Sequence, residues 1–448
     1  MKITILALYG VALLLIGLFS ALKIKNPVDY FVAGKRNGVL QISGSLLASI
    51  LGGSAILGSV NLAIHQGWAA AWYLLSASLG LWLLLPLVGK VSKLGKFTLT
   101  DMLGRFYGQA ARKMASVIIP LAWTGIVAAQ IIAAAKILFS LFALPYADGV
   151  VISSVVFIGY TLIGGQVSIL KTDFLQAIII LVGIACSSVF LAFVHNANTT
   201  PVSASFPFNP NFGPTDLLIL FLTFSSTFVV GPDIYSRVFC ARNEKTARLS
   251  IIIVAAILIS FAFIMTYLGV FAVENLSSEQ LTHSVVLIDL IAQYLPEWVL
   301  GLMAAALLSA VLSSADTTLL TASMMLTELV HEDIDNRRSL RVTKLFIVLV
   351  GLASMLIALQ ITSIIGTLLL ALSFYSGAFI VPIIAALAKL KVNKQMAIAA
   401  MLAGGFTALA GKILASNFGF AWANWLIVAA FAVNVALLRI PAKRNLAA

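Results

Sequence analysis

Apolar runs of about twenty residues recur from one end of this 448-residue chain to the other, starting with ITILALYGVALLLIGLFSAL at residue 3. A hydrocarbon core roughly 30 Å thick is crossed by about 20 residues of helix. Lipid cannot satisfy free backbone groups, so runs this long fold as helices and are too long for barrel strands. With 61% hydrophobic and 10% charged residues, the chain reads as an all-α polytopic membrane protein and not as two or three soluble domains.

The runs place thirteen spans, near 3–22, 38–64, 68–89, 115–143, 149–168, 173–195, 216–236, 247–273, 297–328, 343–360, 363–388, 395–415 and 420–438. The first is expected to stay as a helix. One lysine precedes it, its apolar run is longer than a signal-peptide core, and no small-residue cleavage motif stands before KIKNP.

Numbering loops alternately from an outside N-terminus gathers all but Lys2, Lys136 and Lys412 of the 28 basic residues on one side. That is a strong positive-inside bias. The net charge of +12 therefore reports topology and not a nucleic-acid partner. One helix more or fewer would scramble the alternation downstream, so the bias supports thirteen spans in a cell (inner) membrane with a cytoplasmic C-terminus. Cys186 and Cys240 imply no disulfide framework. His65, His195, His283 and His331 lack metal-ligand spacing, and no cofactor is expected.

Two outer loops are long, HNANTTPVSASFPFNPNFGPT and VENLSSEQLTHSVVLIDLIAQYLPEW. The second holds an apolar patch, Val285 to Tyr294, too short to span and expected to lie as a surface or re-entrant helix over the outer mouth. Two spans carry interruptions that ordinary spans do not need: ILGGSAILGS in the second and FSSTFVVGPDIYSR in the seventh. They lie five spans apart, and an odd offset makes them enter from opposite faces. Matched broken helices in inverted halves point to a transporter's central site.

The segment LLSAVLSSADTTLLTAS, Leu307 to Ser323, puts serines, threonines and Asp316 inside a membrane span. Helical spacing aligns Ala310, Ser313 and Thr317 on one stripe, with Ser314 beside them. A carboxylate such as Asp316 costs about 2.5–3.5 kcal/mol near mid-membrane and is usually paired or turned to a hydrated cavity. Hydroxyls on one helix, with the carbonyls of Ala48 and Leu51 released where the glycines break another, supply the oxygens a dehydrated small cation needs. That predicts a sodium site.

Four segments, YFVAGKRNG, GGQVSILKTDFLQA, GPDIYSRVFCARNEKTAR and SAVLSSADTTLLTAS, together make the chain resemble the sodium:solute symporters along nearly its whole length. The resemblance implies the leucine-transporter-like core of two inverted five-helix repeats. The organisation expected from it is an extra helix and loop in 1–37, repeats in 38–196 and 197–389, and two further helices with a short tail in 390–448. It also implies a shared sodium site at Ala48, Leu51, Ala310, Ser313 and Ser314. Some members bind a second sodium through residues matching Asp173, Asp316 and Thr317, although Asp173 also reads as the cap of a helix opening at Thr172.

The candidate solute pocket is walled by Gly53, Ser54, Ala55, Trp68, Trp72, Gln130, Ser225, Ser226 and Phe228. There the chain departs from its relatives: Ile50 stands where the proline branch has an aspartate, and Ser54 and Ala55 stand where sugar carriers have amides or acids. The expected function is sodium-coupled uptake of a small organic solute, such as an amino acid or a carboxylate, by alternating access, with sodium, solute and bilayer as partners. The rivals are a proton-coupled carrier using Asp173 or Asp316 as relay and a symporter-like sensor that does not transport. No channel filter and no catalytic constellation is present in the sequence, so the chain is not expected to be an enzyme.

Overall fold

The computed structural model describes the chain apart from residues 23, 25, 95–97, 195–204, 284, 332–333, 335 and 442–448. Much of the first long outer loop, His195, and the basic residues Lys23, Lys25, Lys96, Lys443 and Arg444 lie outside the described residues. Everything else folds as helices joined by short turns, with only isolated bridges among the described residues. Large apolar side chains such as Leu14, Phe19, Leu121, Phe193, Leu356 and Phe406 face outward, while serines, threonines and glutamines are buried among the apolar side chains of the interior. An apolar rim is what a bilayer solvent selects, and polar groups must find partners inside.

Ten helical segments among the described residues are long and apolar enough to cross a membrane, which does not establish the expected thirteen. The difference falls at three places. The second and third expected spans share the segment Gly53–Lys93, the fifth and sixth share Tyr146–Phe193, and the last is the short Trp422–Leu438. The shared segments, 41 and 48 residues long, would run roughly 60 and 70 Å as straight helices, about twice the hydrocarbon thickness.

Tyr146–Val194 is divided at Gly165, whose φ of 50° and ψ of −163° interrupt the helix. That backbone region is almost restricted to glycine. A Cβ here would also lie 2.5 Å from the Tyr30 ring, and Tyr30 in turn donates its hydroxyl to the Thr161 carbonyl at 3.1 Å. Gly165→Ala is expected to cost at least about 1–3 kcal/mol for the backbone alone, read as a lower melting temperature of the purified protein. The break falls eight residues before Asp173, so Thr172 and Asp173 lie within a continuous helical stretch and cap nothing.

Both expected interruptions are real. Val39–Ile50 ends at Leu51, whose ψ of 46° is not helical, and Gly53–Gln66 begins after Gly52. Glycines are required by proximity as much as by conformation: a Cβ on Gly52 would collide with the Ser314 side chain, and one on Gly53 with Val311. The second interruption separates Ser226–Val229 from Pro232–Cys240, with Pro232 opening the new helix, where it has no N–H to lose. Glu297–Val330 runs through the centre, packed most heavily on Tyr146–Val194 and Gln109–Phe142, and buries every residue from Ser309 to Met325. The apolar patch of the second long loop forms the helix Val286–Tyr294, buried on Val286, Leu287, Ile288, Leu290 and Ile291.

Candidate functional site

The first broken helix and Glu297–Val330 meet through hydroxyls and freed carbonyls. Ser313 donates to the Ala48 carbonyl at 2.8 Å and stands 3.2 Å from the Ala310 carbonyl. Ser314 donates to the Ser49 carbonyl at 2.7 Å. Three of the five residues expected to hold sodium thus converge on a single hydroxyl, Ser314 lies one residue along, and Leu51 is the fully buried turn of the break. The second broken helix closes differently: Tyr235 donates to the Val229 carbonyl at 3.0 Å, and the Tyr375 hydroxyl bonds the Val230 carbonyl. Its opened carbonyls are therefore sealed by bulky tyrosines, whereas those of the first break face small serines that a cation can replace as partner.

The second-ion residues surround a guanidinium. Arg237, counted above among the inner-loop bases, is fully buried. It forms an ion pair with Asp173 at 3.1 Å, donates to Ser45 at 3.0 Å, Ser49 at 2.8 Å and Ser236 at 3.0 Å, and bonds the Thr317 hydroxyl. Ser45 completes the cluster with a hydrogen bond to Asp173. Asp316 stands apart: one oxygen lies 3.5 Å from the Thr317 hydroxyl and the other has no partner among the described residues. Lys136, a conceivable partner for it, instead lines a cavity of about 420 Å³ with His65 and His283. Arg237 had a visible signal, a cation five residues after the Pro232 that marks a break, but i,i+4 spacing suggests Asp233 as its partner, and the chain delivers Asp173.

A smaller cavity of about 100 Å³ lies against the two breaks and the Ser314 face. Its lining includes Ser54, Ala55, Gln130, Phe228 and Ser314, with Trp123, Thr227, Asp233 and Thr318. Gln130 holds the first break: its side-chain oxygen accepts from the Gly53 N–H at 2.9 Å, and its amide donates to Ser54 at 3.3 Å. Gly53 is buried in that helix contact and does not line the cavity.

Nor do Trp68, Trp72, Ser225 and Ser226. The Trp72 indole donates to the Pro207 carbonyl at 3.1 Å and stacks on Phe206, so the outer loop claims it. Ser226 bonds back to the Leu222 carbonyl, and the Ser225 carbonyl fills the space in front of Gly80. Trp123 and Asp233 were missed, though both were readable. Trp123 lies seven residues before Gln130, on the same helical face, and Asp233 is a carboxylate directly after a Gly-Pro break.

A wholly helical membrane bundle in which two interrupted helices meet a hydroxyl-lined third at the centre has the architecture of a secondary transporter. The chain belongs to the sodium:solute symporter family, whose model matches residues 30–404. It is 25% identical over 278 residues to an uncharacterised symporter of Bacillus subtilis, a match covering 59% of this chain and 54% of that relative's length. It is 25% identical to a sodium/proline symporter of Haemophilus influenzae (72% of this chain, 69% of the relative) and 24% identical to a sodium/pantothenate symporter of Escherichia coli (84% and 83%).

Among solved structures, a Na⁺-coupled sialic acid symporter in a substrate-bound outward-open state superposes with a TM-score of 0.79 at 20% identity, covering 99% of this chain and 98% of that one. A nucleobase-cation-symport-1 family transporter in a closed conformation follows at 0.60 and 13%, covering 91% and 93%. These likenesses show the fold. The four segments that carried the resemblance now share one neighbourhood: Asp173, Arg237 and Thr317 join three of them, and Asn37 of the fourth exchanges backbone hydrogen bonds with Cys240 and Arg242 at 3.4 and 3.1 Å.

Proposed function

We propose that this chain is a secondary active symporter that couples inward sodium flow to uptake of a small organic solute, an amino acid or carboxylate, by alternating access in a cell membrane. One observation carries this reading: the Ser313 hydroxyl held on the Ala48 carbonyl at the break of another helix. Sodium at this point would take the Ala48 and Ala310 carbonyls and the Ser313 and Ser314 hydroxyls as ligands, with the Leu51 carbonyl. It would thereby tie the first broken helix to Glu297–Val330, and its release inward would let them part. The two broken helices then belong to inverted repeats in 38–196 and 197–389.

One Asp173 oxygen and the Thr317 hydroxyl are engaged by Arg237, which favours a single sodium per cycle. One cation moving down about 100 mV yields about 2.3 kcal/mol, and a tenfold gradient about 1.4 more. That supports accumulation of a neutral solute by roughly a few hundred-fold. Purified protein in proteoliposomes is expected to accumulate solute when an inward sodium gradient is imposed and to stop when potassium replaces sodium. Proton coupling is the second reading, favoured by the partnerless oxygen of Asp316. Uptake driven by an inward proton gradient without sodium would establish it and remove the first.

A further inference from the structure

The cavity beside the two breaks is lined by one acidic side chain and no basic one, the acid being Asp233. It sits in the first turn of Pro232–Cys240. Its oxygens accept from the Trp123 indole N–H at 2.9 Å and face the Thr318 hydroxyl at 3.5 Å. Both partners are neutral, and no ion pair among the described residues includes Asp233. The cation nearest in sequence, Arg237, is turned the other way, onto Asp173 and the hydroxyls of Ser45, Ser49 and Thr317. Two carboxylates, the buried Asp173 and the partly accessible Asp233, thus stand near one guanidinium, and only Asp173 receives its ion pair.

Asp233 is partly accessible, and its accessible side opens on the cavity. A carboxylate in a membrane interior is costly unless a cation or water meets it. Part of the remaining wall is aromatic, with Trp123, Phe224 and Phe228 facing the neutral polar side chains of Ser54, Gln130, Thr227 and Ser314, and aromatic faces attract organic cations. The volume is restrictive too. An apolar cavity of about 150 Å³ holds a benzene molecule, so about 100 Å³ admits only a small solute and not a sugar acid.

We propose that Asp233 is the recognition group for a cationic nitrogen on the solute, so that the carried compound is a small ammonium-bearing molecule, an amino acid or amine with an apolar body. This rests on the symporter reading above and narrows its solute. The ammonium supplies the charge partner that the protein withholds from Asp233, while Trp123 and Thr318 keep the carboxylate aimed at the cavity. The proposed sodium site centres on Ser313 and the Ala48 carbonyl, neither of which lines this cavity, so sodium is a separate ligand.

The test is thermal stabilisation of the purified full-length protein, with and without sodium, by matched pairs: proline against cyclopentanecarboxylate, alanine against propionate, and propylamine against propanol. In the unaltered protein an ammonium-bearing member is expected to stabilise in the presence of sodium, and its nitrogen-free counterpart to bind at least about tenfold more weakly, the size of one lost charge-assisted contact. Asp233→Asn is expected to remove that preference and keep the stabilisation by sodium alone, with a cooperative melting transition and a monodisperse elution profile as the check that the variant is folded. Asp233→Glu, which keeps the charge, retains the preference with weaker binding.

Equal binding within each pair, binding by no member, or undiminished amine binding by Asp233→Asn overturns the inference. Loss of the sodium response alone in a folded Asp233→Asn assigns the carboxylate to the ion and also overturns it. In each of these cases sodium-driven uptake by the unaltered protein would still stand; failure of that uptake in proteoliposomes is what removes the symporter reading itself.

Discussion

Arg237→Ala is expected to destabilise the protein by about 3–5 kcal/mol, the cost of leaving one member of a buried ion pair alone, and to abolish uptake. The loss is large because the guanidinium serves several acceptors at once: Asp173, Ser45, Ser49, Ser236 and Thr317 all lose a donor. Those residues sit on four helices, Val39–Ile50, Tyr146–Val194, Pro232–Cys240 and Glu297–Val330, so the change loosens their mutual packing and not one local contact. Arg237→Lys is expected to recover little. An ammonium on a flexible stem cannot reproduce the planar fork that reaches Ser45, Ser49 and Asp173 together. Neutralising both charges, with Asp173→Asn added to Arg237→Gln, is expected to be milder than Arg237→Ala, because no uncompensated charge then remains buried. Melting temperatures of the three purified variants give the ranking. If Arg237→Ala melted like the unaltered protein, the cluster would not hold the bundle together.

Removing the hydroxyls of Ser313 and Ser314 is expected to raise the sodium concentration needed for half-maximal uptake, by roughly tenfold to a hundredfold for each change. A contact with a charged group is worth about 1.5–3 kcal/mol, and each 1.4 kcal/mol is a factor of ten. The double change Ser313→Ala, Ser314→Ala leaves only carbonyls from the expected set, too few oxygens for a dehydrated cation, and is expected to uncouple transport from sodium. Folding is expected to survive, since alanine suits a helix better than serine. The Ala48 and Ser49 carbonyls do lose their hydroxyl donors, so some loss of stability accompanies the change. The informative comparison is between ions and solutes: sodium dependence should weaken while the order of preference among solutes holds. Sodium activation unchanged in the double variant would remove the site from Ser313 and Ser314.

The sequence was most informative where physics acts locally. Lipid obliges each crossing segment to satisfy its own backbone, so length and apolarity alone announce helices. Glycine and proline mark interruptions from within the segment they interrupt, and both breaks, at Leu51–Gly53 and Val230–Pro232, lie where such residues stand. The hydroxyl stripe of Ser313 and Ser314 followed from helical periodicity, because which residues share a face is a property of one helix. The number of crossings was harder to read. A break such as Gly165 divides a helix without a polar loop, and its GG dipeptide gives no hint that a Tyr30 ring must fit against it.

Only the tertiary structure decided which faces look at one another. The sequence separation of four favoured an Asp233–Arg237 pair, yet packing carried Arg237 to Asp173, 64 residues away, and left Asp233 turned to a cavity. The same rotation of helices brought Trp123 and Thr318 to that cavity and gave Trp72 to the loop at Pro207. A side chain's direction within its helix is written in the residues of that helix. Its partner depends on where the interrupted helices bend and how deeply small residues let neighbours approach, and those quantities arise only when the whole bundle closes.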